Sequence, residues 1–297
     1  MSREEDLRAT ICEVGRRLYQ RGYVASNDGN ISVRLDDGRL LATPTAVSKG
    51  FMTPDMMVVT DLSGTKLSGE RTASSELKMH LAVYQLRPDV QAVVHAHPPL
   101  STGFAVAGIP LDRAVLAEVI TTLGSVPIAD YATPSTAELP DAVSKYVRAH
   151  DGILLANHGA LTCGADLMGA YYKMETIEHF ARISLVARQL GRENLLSRDE
   201  VDRLQGLRTR YGIASPAPVC VDETPGARRG PDEAVNCQAV YAPATSGERL
   251  VPDPGTVPAV EAGSVGTNGG IRLTYAQLTA LIDDAVAQVA EGLGLKR

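Results

Sequence analysis

The segment Val90–His97, VQAVVHAH, constrains the fold more than any other. It is an apolar, β-branched run that ends in two histidines, and it reads as a buried strand. A buried strand needs elements packed over it, and the flanking sequence supplies them. Residues 3–21 carry Leu7, Ile11, Val14 and Leu18 at helical spacing. After the polar turn SNDGN come two short runs, ISVRL (31–35) and RLLAT (39–43), flanking Asp36-Asp37-Gly38, which is a hairpin signal. MMVVTD (56–61) reads as a strand, and SSELKMHLAVYQL (74–86) returns to a helical period. GSVPIA (124–129) and GILLAN (152–157) read as strands, and residues 140–150, 166–190 and 197–212 as helices. Hairpins and crossovers are mixed, which predicts an α/β layered fold on a mixed, largely antiparallel sheet.

The texture changes near residue 213. From Ala214 to Gly270 the chain is rich in Pro, Gly, Ala, Ser and Thr, which is linker chemistry. Residues 274–293 then regain a helical stripe of Leu278, Leu281, Ile282, Ala285, Val286, Val289 and Leu293, with Thr274 as a candidate N-cap. The expected organisation is a catalytic-size domain (1–213), a linker (214–273) and an amphipathic helix (274–293).

Composition bounds the function. With 44% apolar residues a core can form, and a net charge of −6 argues against a general nucleic-acid binder. One phosphate group remains manageable, because backbone amides and hydroxyls can hold it without basic side chains. No run is long and apolar enough to predict a transmembrane helix. The charged start, MSREEDLRAT, reads as a helix rather than a leader, so no membrane partner is expected. The four cysteines, Cys12, Cys163, Cys220 and Cys237, are scattered, which points to a reducing, cytoplasmic setting.

Histidine is scarce, at six residues. His95 and His97 stand two apart at a strand end, so both imidazoles leave one face. His158 follows another apolar strand in ANHGA. Three imidazoles with an open fourth position would suit a catalytic zinc, although a His-x-His at a strand end is equally ordinary structure when read alone. His80, four residues after Glu76, reads as a residue that packs or bonds locally. His150 and His179 read as helix-surface or helix-packing residues. Ser74-Ser75-Glu76 offers hydroxyls and free backbone N–H groups to an anion, yet by itself it is an ordinary helix start. Gly29-Asn30 and Thr43-Pro44-Thr45 are further loop donors that turn chemistry also explains. Glu76 could serve as a general base beside a metal-bound substrate.

Taken in order, Asn27-Asp28-Gly29-Asn30-Ile31-Ser32-Val33-Arg34, Thr43-Pro44-Thr45, Ser74-Ser75-Glu76, His95-Ala96-His97 and Asn157-His158-Gly159 resemble the class II aldolase/adducin family, and within it the L-fuculose-phosphate aldolases. The resemblance covers about residues 5–213. It implies a three-layer αβα sandwich, a C4 homotetramer with sites between subunits, and one zinc per subunit on His95, His97 and His158. Glu76 matches the catalytic acid/base, which can also touch the metal. Asn27, Asn30, Thr45, Ser74 and Ser75 match phosphate-binding positions. Tyr131 and Tyr211 match tyrosines that assist at the aldehyde end and close the site. Ala46 departs from a frequent glycine, and Asn27 from a usual threonine. The implied activity is cleavage of a ketose 1-phosphate into dihydroxyacetone phosphate and an aldehyde. Relatives on the same scaffold are epimerases, dehydratases, decarboxylases and non-catalytic adducin. The intact Glu76 and histidines speak against the last, and the tyrosine pair favours an aldolase over an epimerase. The linker and terminal helix resemble peptides that deliver enzymes into bacterial microcompartments, so a shell protein is an expected partner. Packing of the helix on its own tetramer is the alternative.

Overall fold

The computed structural model describes residues 2–35, 38–211, 213 and 219. Among them are β1 (Asn30–Arg34), β2 (Leu40–Ala42), β3 (Val58–Thr60), β4 (Lys66–Ser68), β5 (Ala92–Ala96), β6 (Ile128–Ala129), β7 (Gly152–Leu155) and β8 (Gly159–Gly164). They form one sheet in the order β4-β3-β2-β1-β5-β8-β7-β6. Every pairing is antiparallel except β6 with β7. The helices are α1 (Arg3–Gln20), α2 (Leu77–Leu86), α3 (Pro99–Val106), α4 (Ala117–Thr122), α5 (Glu138–Ser144), α6 (Leu167–Gln189) and α7 (Arg198–Arg210).

Side-chain alternation on β5 sorts the two layers. Ala92, Val94 and Ala96 enter a core with Ile11, Val14 and Leu18 of α1, Phe104 of α3 and Tyr171, Met174 and Ile177 of α6. Val93 enters the opposite core with Met79 and Val83 of α2 and Val143 of α5. Helices therefore cover both faces, as a three-layer αβα sandwich requires. His95 shares the parity of Val93 and so faces the α2 side. On β1, Ile31 and Val33 point to the α1 side, which sends Asn30 and Ser32 toward α2. Asn30 is paired directly with His95 across the β1–β5 ladder.

The first helix starts as its sequence suggests. Ser2 and Glu5 form a reciprocal capping box, with Ser2 N–H to Glu5 Oε2 at 2.7 Å and Glu5 N–H to Ser2 Oγ at 3.3 Å. Several boundaries move. The helix expected from residue 74 begins at Leu77, and Ser74 and Ser75 lie in the preceding turn. The strand expected over 124–129 is confined to Ile128–Ala129. The helix expected over 140–150 is Glu138–Ser144, and His150 is not a helix-surface residue. It is fully buried, with Nδ1 3.2 Å from Ser125 O. Strand β8 and helices α3 and α4 arise where no element was read. Asp36 and Asp37 of the expected hairpin lie outside the described residues, as do the linker and terminal helix apart from Val219. That valine packs against the small cluster of Ala114, Ile120 and Val201.

Candidate metal and phosphate site

The three histidines of the sequence motif converge. His95 comes from β5 and His97 from the residue just beyond its end, while His158 stands at the tip of the β7–β8 hairpin. Each has one ring nitrogen in a group whose members all lie within 4.8 Å of one another. His95 Nε2 and His97 Nε2 are 3.1 Å apart. The hairpin turn depends on backbone conformations. Asn157 takes a left-handed φ of 55°, which asparagine tolerates better than most residues. At Gly159 a Cβ would meet His97 Cδ2 at 2.5 Å and Ala96 O at 2.6 Å. Only glycine lets the hairpin close over the cluster without moving His97.

The remaining ring nitrogens of His95 and His97 are fixed from outside, whereas His158 Nδ1 is buried without a hydrogen-bond partner. His95 Nδ1 is 2.9 Å from Ala160 O, which makes it the donor and leaves Nε2 as the lone-pair nitrogen. His97 Nδ1 lies 3.4 Å from Asp28 Oδ2. His97 is also set by its backbone, whose N–H donates to Tyr23 O at 2.8 Å. The start of α3 just beyond it is held by Glu178, which accepts from Leu100 N–H and Ser101 N–H at 3.0 and 2.8 Å.

Glu76 borders the cluster at the N-cap of α2. Its Oε1 is 3.2 Å from His158 Nε2, and its Oε2 is 3.4 Å from His95 Nε2. Asn30 Nδ2–H donates to Oε2 at 2.8 Å. Burial opposes ionisation of this carboxyl, but the bond to His158, the neighbouring His95 and the Asn30 amide hold it well below the usual carboxylate range. Burial pushes His95 well below its ordinary value and lowers His97 as well. Both shifts favour neutral His95 and His97 imidazoles, with the Glu76 carboxylate on one side and Asp28 on the other. The mutually close set is the three imidazoles, and Glu76 adjoins it through two of them.

Backbone hydrogen bonds tie the Thr43–Thr45 and Thr72–Ser74 segments to each other and to the start of β1. Thr43 N–H donates to Ile31 O at 3.0 Å, and Ile31 N–H to Thr43 Oγ1 at 3.1 Å. Thr45 N–H donates to Thr72 O at 3.0 Å and Ser74 N–H to Thr43 O at 3.1 Å. This short antiparallel ladder is centred on the Pro44–Ala73 bridge, with Thr45 opposite Thr72 and Ser74 opposite Thr43. Ser75 is exposed, and its Oγ accepts from Ser135 Oγ at 2.9 Å. Asn27 is exposed too, with Oδ1 accepting from Ser26 Oγ at 3.1 Å. Ala46, where the resemblance leads one to expect glycine, adopts φ 57°. An alanine held in this left-handed region costs about 1 kcal/mol, so the turn geometry survives the substitution at the expense of strain.

Tyr131 and Tyr211 are 62% and 65% exposed. Tyr131 follows β6 in the loop that carries Ser135, and Tyr211 follows α7. His80 stays outside the cluster. It is buried, with Nδ1 2.7 Å from Ser32 Oγ and Nε2 without a hydrogen-bond partner, and burial pulls it down to about 4. His179 is an exposed residue of α6.

Three residues near the site were missed in the sequence: Asp28, Lys49 and Ser135. Asp28 had a signal, since it sits between two singled-out positions and carries the charge that a ligating imidazole commonly pairs with. Replacing it as Asp28→Asn removes that charge but little volume. The expected result is a 10–100-fold loss of zinc affinity, the usual weight of such an outer partner, with the fold intact. Competition with a zinc chelator, followed by circular dichroism, checks both parts.

Zinc fits the donor set. Ligands at 2.0–2.1 Å in a tetrahedron stand about 3.3 Å apart, so nitrogens already within 4.8 Å need only small side-chain movements. The donors are imidazoles, two of them held neutral and with their second nitrogens engaged, as zinc ligation requires.

Comparison with known proteins places the chain in a family. Residues 9–185 match the Class II Aldolase and Adducin N-terminal domain. The chain is 36% identical over 179 residues to an L-fuculose phosphate aldolase of Methanococcus maripaludis, covering 60% of this chain and 96% of the relative. It is 33% identical over 190 residues to a 3-oxo-tetronate 4-phosphate decarboxylase of Pectobacterium atrosepticum, covering 63% and 87%. Among solved structures, an L-fuculose 1-phosphate aldolase superposes with a TM-score of 0.65 at 30% identity, over 71% of this chain and 98% of that one. YgbL of Klebsiella pneumoniae, described as an aldolase/epimerase/decarboxylase, gives 0.64 at 31% identity over 69% and 100%. With a matching domain that spans more than half of its length, the chain belongs to the class II aldolase and adducin N-terminal domain family.

Proposed function

We propose that this protein is a zinc-dependent carbon–carbon lyase that releases dihydroxyacetone phosphate, acting as an aldolase on a ketose 1-phosphate. The observation that carries the reading is the position of Glu76. One half-buried carboxylate borders His95 and His158 on one side and follows directly on the Ser74-Ser75 donors on the other. Zinc bound by His95, His97 and His158 would supply Lewis-acid stabilisation of charge at the substrate's carbonyl and hydroxyl oxygens.

The chain's own residues do the rest. Thr45, Ser74, Ser75, Asn27 and Asn30 bind and orient the phosphate, which fixes the reacting carbons relative to Glu76. When the C3–C4 bond breaks, its electron pair stays on C3 and the C4 hydroxyl gives up its proton as the aldehyde leaves. Glu76 handles the proton at C3. Tyr131 serves the oxygen of the leaving aldehyde, relaying the C4 hydroxyl proton to solvent as its own phenol proton is passed on, and Tyr211 closes the site. Both are exposed in one chain, so in this reading they act on a neighbouring subunit of a homotetramer.

A second reading is favoured by the relation to 3-oxo-tetronate 4-phosphate decarboxylase. Loss of carbon dioxide from a 3-oxo-tetronate 4-phosphate leaves the electron pair on the same carbon and, after protonation, gives the same dihydroxyacetone phosphate. It needs Glu76 and the phosphate donors but no base for a leaving aldehyde. The test is dihydroxyacetone phosphate release from L-fuculose, L-rhamnulose and 5-deoxyribulose 1-phosphates and from 3-oxo-tetronate 4-phosphate, with carbon dioxide measured alongside. Release from a ketose 1-phosphate, slowed by Tyr131→Phe, is expected. Release only from the oxo-acid, with equal carbon dioxide, selects the second reading. Release from none of them overturns both.

A further inference from the structure

Lys49 is a buried cation that the chemistry above does not use. It opens a single 3-10 turn, Lys49–Phe51, and is 1% exposed. The turn sits directly on α1. A Cβ at Gly15 would lie 2.5 Å from Lys49 O, and one at Gly50 would lie 2.5 Å from the Tyr19 ring. From this fixed base the ammonium reaches two separate loops. Nζ donates to Asn27 O at 2.9 Å and to Val47 O at 2.7 Å. One loop carries Asn27 and leads into Asn30. The other carries Thr45 and the strained Ala46. An ammonium has three protons, so two carbonyls leave one donor uncommitted. Among the described residues no carboxylate lies within ion-pairing distance of this Nζ. Burial pulls Lys49 down to about 8, opposed by the more distant charges of Asp28 and Glu76. A buried charge without a direct counter-ion is costly unless something compensates it. Two carbonyls solvate this charge in part, and an anion held where the two loops meet would neutralise it.

We propose that Lys49 is the positioning residue of the phosphate cradle: it locks the Asn27 and Val47 loops together and supplies the positive charge that the substrate's phosphate meets. This rests on the reading of Thr45, Ser74 and Ser75 as the phosphate site. It also accounts for a chain of net charge −6 holding a dianion beside Asp28 and Glu76.

The experiment uses the full-length, zinc-loaded protein and inorganic phosphate as probe, with affinity measured by calorimetry. Lys49→Arg keeps charge and donors, Lys49→Gln keeps donors without charge, and Lys49→Met keeps neither. Gln and Met are expected to weaken phosphate binding on the order of tenfold or more, the loss that follows removal of a charge-assisted partner. Arg is expected to restore most of it. With substrate, KM should rise in the two neutral variants more than kcat falls, and zinc content should not change. If Lys49→Met does not fold, the Arg–Gln pair decides the matter. Gln and Met variants that fold and bind phosphate as the wild type does overturn the proposal, as does a loss confined to kcat. A wild type that binds no phosphate, or a Ser75→Ala variant with unchanged affinity, counts against the functional reading instead.

Discussion

His95→Ala is expected to abolish zinc retention and to lower the rate of carbon–carbon cleavage on the order of 10³-fold or more, since Lewis-acid stabilisation is worth several kcal/mol. His95 is the most constrained member of the triad. It is fully buried, is fixed through Nδ1 by Ala160 O, and stands 3.1 Å from His97 Nε2 and 3.4 Å from Glu76 Oε2. Alanine removes a ligand and leaves the other two without the nitrogen that joins them. It also takes from Glu76 one of the groups that keep its carboxylate ionised against burial. Metal analysis of the purified variant, with turnover measured in excess zinc, checks both effects. A variant with full zinc and near-normal turnover contradicts the assignment.

Glu76→Gln is the second large effect, and it separates proton handling from metal binding. Glutamine is nearly isosteric and can still accept from Asn30 through its carbonyl oxygen, so the N-cap of α2 and the histidines should stay in place. What is lost is a group that exchanges a proton with carbon, a contribution of about 10²–10⁴ in rate. Turnover should fall by that factor while zinc content stays at the wild-type level and KM moves little. The same loss is expected with either substrate class, because the carbon that receives the proton is the same. A variant that loses zinc together with activity would instead make Glu76 chiefly a ligand.

The parts of this site that were readable in the sequence share a cause. Periodicity fixes faces, and His95, Asn30 and Ser32 lie where strand alternation sends them. Scarcity made His95, His97 and His158 stand out among six histidines. Strand β4 could not be read because Lys66–Ser68 is exposed at all three positions and has no buried face to pattern. Strand β8 was hidden for the opposite reason. GALTCG is buried throughout, and its small residues answer to close packing rather than to alternation. A Cβ at Gly164, for example, would lie 2.8 Å from Ala170 N. Helices α3 and α4 span eight and six residues, too short to establish a period. Lys49 left no signal, because a lysine in a polar turn normally points to solvent. Its burial comes from the seating of the turn on Gly15 and Gly50, a tertiary fact. The roles proposed for Tyr131 and Tyr211 came from the resemblance alone, because two exposed tyrosines carry no pattern of their own.

The most direct test of the central claim is a titration of the metal-free protein with zinc, following dihydroxyacetone phosphate release and bound metal together. The account predicts that activity rises linearly and saturates at one zinc per chain, and that His95→Ala and His158→Ala neither bind that equivalent nor regain activity. Full activity in the metal-free protein, or one tightly held zinc in both variants, would show that these histidines are not the catalytic metal centre.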